Sequence, residues 1–393
     1  MRDVAVIGVG MHPWGKFPNK SFVSIGIEAV KNALKDADMK WSDIQSMVSG
    51  CYVFDGMGGL LSGHSLAAVL GETGIPITNI WNVCATATSS FRTAYQIVAS
   101  GEQDICMAVG VDISPKGFLP VIGGENPTDC DYLRWKMMGI TNPGYWGLEC
   151  RKRMERYGTT EQHLAAAKVA CSKHGSLNPN ATYRKLYSRE EVLNSPMVAD
   201  PLRLYMICAT RDGAAAVILC SADIARKFTS KPVTIAGVGL GSALNGDPTA
   251  RLGLMYAPEE TTVPMLSESY TSSRMAYNRS GIGPEDMDFV ELPDNSSWHY
   301  LQYIETLGFC GPGEAEQLLD NGQTMIGGKI PVCPSGGVAS FGEAVAAQGL
   351  LQIFEVVMQL RGQCGDRQVQ GAKVGMAQTY GMLGNSASAI LKV

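Results

Sequence analysis

The stretches DADMKWSDIQSMVSG (36–50) and RSGIGPEDMDFVELPD (279–294) follow one pattern: the end of a helix, a polar turn, then a short apolar strand. Asp43 in the first corresponds to Asp286 in the second, each just ahead of its strand. The shared order continues downstream. In the first half Trp81-Asn82-Val83-Cys84 leads into a helical stretch, and a strand at 104–111 follows it. In the second half the loop 331–337 leads into a helical stretch, and a strand at 372–377 follows. Self-similarity over such a span marks a duplicated unit.

Working outward, short apolar runs at 4–8, 46–53, 105–111, 214–220, 233–238, 288–292, 372–377 and 387–393 read as strands. They alternate with helix-length segments at 24–37, 89–99 and 344–360, which is the pattern of an α/β fold. In the first helix Ile25, Ala29, Val30, Ala33 and Leu34 recur at helical spacing. The duplication divides the chain into halves at 1–240 and 241–393, with residues 113–210 inserted in the first. The insertion has its own texture: Tyr132, Trp135, Met137, Met138, Tyr145 and Trp146, then a polar helix at 160–174. It carries too little aliphatic surface for a separate core and is expected to lie over the main body as a lid or substrate wall.

The 393 residues are 45% hydrophobic and 18% charged, with 32 basic against 37 acidic side chains and a net charge of −5. That balance suits a compact chain and, without a basic stripe, excludes a nucleic-acid partner. No apolar run is long enough to span a membrane, and the first apolar run reads as a buried strand rather than a signal peptide. The eleven cysteines are dispersed with no Cys-x-x-Cys pair, so they form no zinc site and read as reduced thiols of a cytoplasmic protein. Gly8-Val9-Gly10 lacks the third glycine and the downstream acid of a dinucleotide loop. His12, His64, His163 and His174 form no ligand pair.

Cys84 stands apart. It lies in NVCATATSS (82–90), where an extended stretch runs into a helix. Unpaired N–H groups and the positive end of the helix dipole stabilise a thiolate there, and the small residues after it keep the approach open. Small residues also mark tight packing, so this motif alone leaves both readings open.

That motif, the opening VAVIGVGMHPWGKF (4–17), the run DGAAAVILCSADIARK (212–227) and the closing GDRQVQGAKVGMAQTYGMLGNSASAILKV (365–393) together resemble the thiolase superfamily, in its sterol-carrier-protein-type branch. The resemblance runs from end to end. It implies duplicated halves forming a five-layered αβαβα structure, with Cys84 accepting an acyl group from a coenzyme A thioester. Coenzyme A is then a substrate, and no cofactor is required. It further implies a homodimer and a small partner subunit combining a zinc ribbon with an OB-fold.

The remaining catalytic positions depart from the family pattern. Where the family has Gly-His-Pro this chain has Gly342-Glu343-Ala344. A carboxylate at Glu343 accepts the thiol proton, or donates one where an apolar pocket raises its pKa; the alternative is a cap on the helix 344–360. Where relatives carry His-Asp-Cys-Phe this chain has Pro293-Asp294-Asn295-Ser296. Asn295 or a water then supplies the oxyanion donor, with Asp294 structural. His299, four residues on, either reaches the site or packs. The Cys-x-Gly loop is replaced by Gln378-Thr379-Tyr380-Gly381, so no second catalytic cysteine is expected. Backbone N–H groups near Gly381 can polarise the thioester, and Tyr380 is a candidate proton donor. Arg134, Arg203 and Trp146 are candidate substrate contacts, either arginine serving equally well in an ion pair.

Three outcomes are open on this fold: thiolysis of a 3-oxoacyl-CoA through acyl-Cys84, retro-aldol cleavage of a hydroxyacyl-CoA (steroid side-chain type), or a scaffolding subunit without catalysis. The lyases of this branch lack the cysteine and carry a tyrosine where this chain has Val345. The retained Cys84 therefore favours an unorthodox thiolase on a bulky or branched 3-oxoacyl-CoA. Benzoylsuccinyl-CoA, giving benzoyl-CoA and succinyl-CoA, is the leading substrate.

Overall fold

The computed structural model describes residues 1–52, 56–114, 141–245, 247, 265–381 and 384–393. The first half begins with β1 (Val4–Gly15), α1 (Phe22–Asp36) and β2 (Ser46–Gly50). Two helices follow, α2 (Gly56–Leu60) and α3 (Ser62–Leu70), then β3 (Ile77–Asn79), α4 (Thr86–Ser100) and β4 (Ile105–Ile113). Next come α5 (Asn142–Tyr157), α6 (Glu161–Ser176), α7 (Arg189–Leu193) and a small hairpin of β5 (Met197–Ala199) and β6 (Leu202–Arg203). The half closes on β7 (Asp212–Ser221). The second half starts with β8 (Val233–Ser242), α8 (Ser267–Ser280) and β9 (Phe289–Glu291). It continues through α9 (Ser297–Thr306), α10 (Ala315–Asp320), α11 (Gly337–Phe341) and α12 (Gln348–Leu360), and ends on β10 (Val374–Gly381) and β11 (Asn385–Lys392).

The two echoed stretches fold alike. Asp43 Oδ2 accepts the Lys40 N–H at 2.8 Å, and Asp286 Oδ2 accepts the Gly283 N–H at 3.0 Å. Each closes one 3₁₀ turn, Trp41–Asp43 or Pro284–Asp286, just before a strand. An aspartate in the first turn satisfies an N–H that has no partner within the turn itself.

The sheet order is β3-β2-β4-β7-β1-β8-β11-β10-β9. It is a mirror: β1 answers β8, β7 answers β11, β4 answers β10 and β2 answers β9. Even the edge is matched, because Val332 bridges Val290 in parallel where β3 pairs with β2. The two halves of the sheet meet through two residue pairs, Ala5–Thr234 and Val6–Val233. That narrow join lets the sheet fold back on itself around the helices.

Helix α1 covers the outer face of the first half and α8 the outer face of the second, while α4 and α12 lie between the two sheets. Five layers, αβαβα, result. Helix α1 starts where Ser21 Oγ accepts the Ser24 N–H, and it buries Ile25, Ala29, Val30 and Ala33. Helix α12 buries all round, as expected of a helix between sheets.

Both outer helices sit too close to their strands for any side chain beyond hydrogen. A Cβ on Gly10 would lie 2.2 Å from the Ala29 carbonyl of α1, and one on Gly239 would lie 1.9 Å from the Ser272 carbonyl of α8. Backbone atoms of a packed helix cannot retreat as a side chain does. Gly239→Ala is therefore expected to destabilise the protein by about 3 kcal/mol, the upper part of the overpacking range, measured as a lowered denaturant midpoint at unchanged m-value.

Two expectations are corrected. The described part of the insertion is more than a cover: Tyr145, Trp146, Leu164 and Ala167 share one core with Trp298, Tyr300 and Leu301 of α9. Helix α5 packs against α9, and α6 against α9, α10 and α11, so the segment also completes the core of the second half. The aromatic stretch around Tyr132 and Trp135 lies outside the described residues. Secondly, the helix expected at 344–360 begins at Gln348. Gly342 takes a φ of 82°, and the Ala346 N–H donates to Asp112 Oδ2 at 3.0 Å, so 343–347 form a turn.

Candidate active site

Cys84 occupies a single 3₁₀ turn, Val83–Ala85, set directly before α4. The turn is tight. Val83 has a φ of 49°, which β-branched residues rarely adopt, and the neighbouring bonds hold it there. The Thr86 hydroxyl donates to the Val83 carbonyl at 2.6 Å and accepts the Asn82 N–H at 2.8 Å. The small residues after Cys84 are buried against α12 and the strands. The sulfur itself stands at the N-terminal end of a fifteen-residue helix, where the dipole favours negative charge.

Glu343 meets it from the other half. It lies in the turn between α11 and α12 and is not a cap on the helix. Its backbone is stitched on both sides: its N–H donates to the Ala209 carbonyl, and its carbonyl accepts the Arg211 N–H, both at 2.8 Å. The carboxylate points inward, and the Cys84 thiol donates to Oε1 at 3.2 Å. Burial raises the Glu343 pKa above its ordinary value, while hydrogen bonds from Cys84, Cys208 and Asn295 work in the opposite direction. A buried carboxylate beside a thiol is a proton acceptor for that thiol.

The other expected residues divide into two groups. Asn295 belongs to the site: its amide Nδ2 lies 3.8 Å from Cys208 Sγ, and its Oδ1 is buried with no partner. Asp294 binds the start of α11. Its Oδ1 accepts the Val338 N–H at 2.6 Å, and its Oδ2 accepts the Ala339 N–H and the Cys171 thiol, both at 3.2 Å. Burial pushes its pKa up to about 6. These bonds fix α11 and so the turn that presents Glu343.

Tyr380, on β10, lies within electrostatic reach of Cys84 and Glu343, and its phenol is raised first by burial and then by Glu268 and those two groups. Gly381 ends β10 opposite Asn385. His299 meets Trp146 edge-on and Tyr380 at a tilt. The His299 ring lies 4.9 Å from Trp146 and 5.8 Å from Tyr380, fully buried. Burial lowers its pKa to about 3, so the imidazole is neutral near pH 7 and packs as one ring among four others. Arg203 pairs with Glu161 at 3.0 Å, whereas Arg134 lies outside the described residues. Among the described residues no cluster of His, Cys, Asp or Glu is placed to hold a metal, and no helix is long and apolar enough to cross a membrane.

Two residues at the site escaped the sequence. Cys208, from the strip before β7, places its sulfur 3.7 Å from Glu343 Oε2, so a second thiol faces the carboxylate although the loop 378–381 carries none. Tyr52 packs against Cys84 and Val345, and its phenol is raised by burial, then by Cys84, Asp112 and Glu343. Neither carries a local signal. Cys208 sits in a run that reads as an ordinary approach to a buried strand, and Tyr52 follows β2 as many aromatic residues follow strands.

A groove of about 460 Å³ opens beside the pair, with Cys208 among its lining and Lys168, Tyr183, Tyr187 and Arg211 around it.

Known proteins share this arrangement of chain. The family profile described as "Thiolase, N-terminal domain" matches residues 4–223, and "Thiolase C-terminal domain-like" matches residues 257–392. The acetyl-CoA acetyltransferase of Methanothermobacter thermautotrophicus is 34% identical across 99% of this chain and 98% of its own. Human sterol carrier protein 2 is 34% identical over 98% of this chain and 71% of its own. The benzoylsuccinyl-CoA thiolase subunit BbsB of Thauera aromatica is 32% identical over 94% of this chain and 92% of its own. In fold, the Ltp2-ChsH2(DUF35) aldolase superposes with a TM-score of 0.82 at 24% identity, covering 100% of this chain and 98% of that one. Human mitochondrial 3-ketoacyl-CoA thiolase, in complex with CoA, superposes at 0.74 and 15% identity, covering 100% and 98%. With mirrored halves, a cysteine at the head of α4 and both family domains matched along its length, the chain belongs to the thiolase family of CoA-dependent acyltransferases.

Proposed function

We infer that the protein is an unorthodox thiolase in which Cys84 carries the acyl group and Glu343 replaces the family's histidine as the base. The observation that carries this reading is the 3.2 Å contact between the Cys84 thiol and Glu343 Oε1 inside a buried pocket. The thiol gives its proton to the carboxylate, and the sulfur attacks the 3-keto carbon of a 3-oxoacyl-CoA. The C2–C3 bond breaks, the shorter CoA ester departs, and the acyl group remains on sulfur. Free CoA then takes the acyl group, and Glu343 returns its proton to Cys84. Asn295, with its amide in the pocket, stabilises the oxyanion.

The acyl group is taken to be bulky or branched, and the groove beside the pair offers it apolar surface at Tyr183, Tyr187 and Ile207. Benzoylsuccinyl-CoA, cleaved to benzoyl-CoA and succinyl-CoA, is the first substrate to assay, given the similarity to BbsB. A homodimer in the cytoplasm, working with a small zinc-ribbon/OB-fold subunit, completes the proposal; the neighbour is itself a pairing of Ltp2 with ChsH2(DUF35). The test is direct. After incubation with benzoyl-CoA, intact mass should show a hydroxylamine-labile benzoyl adduct on the unmodified protein and none on Cys84→Ala. An unmodified protein that takes no acyl group from benzoyl-CoA or acetyl-CoA, alone or with the small subunit, defeats the reading.

A further inference from the structure

Thiolysis needs a second proton donor. When the C2–C3 bond breaks, the electron pair stays on C2 of the departing ester, and that carbon must be protonated while Glu343 still holds the proton it took from Cys84.

Cys208 is built into position for this. The strip that carries it is tied between the two loops of the site: Ile207 bridges Ser296, and Thr210 bridges Glu343. The Cys208 N–H donates to the Asn295 carbonyl at 2.9 Å, and the Glu343 N–H donates to the Ala209 carbonyl at 2.8 Å. These backbone bonds leave the Cys208 side chain little freedom. Its thiol donates to Glu343 Oε2 at 3.7 Å while that of Cys84 donates to Oε1 at 3.2 Å, so two sulfurs flank one carboxylate. The Asn295 amide points at the Cys208 sulfur from the other side, and the Lys168 ammonium, donating to the Ala339 carbonyl at 2.7 Å, is within electrostatic reach. An amide donor and a cation both favour a transient thiolate at this sulfur. Cys208 also lines the groove.

We propose that Cys208 is the general acid for the leaving carbon, protonating C2 of the departing CoA ester and later taking the proton of the incoming CoA thiol. The proposal rests on Cys84 as the acyl carrier. In the first half-reaction the Cys208 S–H bond breaks, a C2–H bond forms and the sulfur is left as a thiolate. In the second, the CoA S–H proton passes to that thiolate, the CoA sulfur attacks the acyl carbonyl, and Cys84 leaves and recovers its proton from Glu343. Atoms and charges return to their starting state. Burial, followed by the charges of Glu343 and Asp294, pushes the Cys208 pKa well up, which keeps the resting sulfur protonated as an acid must be.

The experiment follows deuterium uptake from D₂O into C2 of acetyl-CoA, and in a second arm of succinyl-CoA, alongside the intact-mass assay of Cys84 acylation. The unmodified enzyme should exchange. Cys208→Ala and Cys208→Ser should still place the acyl group on Cys84, more slowly because CoA then leaves without its acid, and should exchange at least ~10²-fold more slowly, the usual span of general acid–base effects. Serine keeps the shape and its thermal midpoint checks the fold, so a loss shared by both variants is chemical. A merely structural Cys208 would be replaced in full by serine, so exchange at the unmodified rate in Cys208→Ser with loss only in Cys208→Ala overturns the proposal. Exchange at the unmodified rate in both variants overturns the proposal, as does an unmodified enzyme that acylates Cys84 but exchanges neither ester. Failure of Cys84 acylation in the unmodified enzyme is a different result, and it removes the thiolase reading itself.

Discussion

Cys84→Ala should lower kcat by at least ~10⁴-fold, on the scale seen when an enzyme loses its nucleophile, with the fold unchanged. Alanine removes one sulfur from a turn otherwise held by Thr86 and Asn82, so circular dichroism and the thermal midpoint should stay near those of the unmodified protein. The loss is large because the acyl group has no other carrier in line with the dipole of α4. Cys208 also touches Glu343, but it precedes a strand and lacks those helix N–H groups. Two results would change the assignment. An acyl adduct on Cys208 in the Cys84→Ala variant would exchange the roles of the two sulfurs. Cleavage of a hydroxyacyl-CoA at the unmodified rate by that variant would replace thiolysis with retro-aldol chemistry, for which Tyr380 and Tyr52 already stand beside the pocket.

Glu343→Gln should lower kcat by ~10²–10³-fold, because an amide cannot take the thiol proton and positioned general bases are worth that much. Its pH signature is the more telling measurement. Only the ionised carboxylate accepts the proton, and burial has raised its pKa above the ordinary glutamate value. The kcat/KM profile of the unmodified enzyme should therefore fall on the acid side through that raised pKa, at a pH where exposed glutamates are still ionised. In Glu343→Gln that limb should vanish. Stability should move the other way. Below the pKa of the unfolded state the carboxyl is protonated whether folded or not, and the two proteins differ little. As pH rises towards the raised folded value, the unfolded chain ionises first and the unmodified protein loses stability. The glutamine variant should thus gain in thermal midpoint as pH rises through this window. A variant that is less active and also less stable throughout would mean that Glu343 is a structural acceptor for the two thiols.

The legibility of this protein in its sequence follows distance along the chain. The echo of 36–50 in 279–294 was readable because each turn is closed by an aspartate three residues from the N–H it satisfies. Strand and helix positions were readable for the same reason: period and capping act within one or two turns of backbone. Cys84 could be singled out because the field that matters to it comes from the helix it heads. The start of α12 is not legible in the sequence, since the turn at 343–347 is held by Asp112, far away in sequence. Sequence alone does not decide between site and packing for His299, because nothing local shows that four aromatic rings close over it.

The amino-acid order alone thus determined the duplicated α/β plan and the cysteine at the head of α4, through interactions that need only neighbouring residues. Tertiary structure alone decided what stands opposite that cysteine. Glu343 is 259 positions from Cys84 and 135 from Cys208. No propensity or spacing couples residues so far apart. Their meeting depends on the mirrored sheets closing over α4 and α12, and only that closure sets two thiols against one carboxylate in a pocket dry enough to change its affinity for a proton.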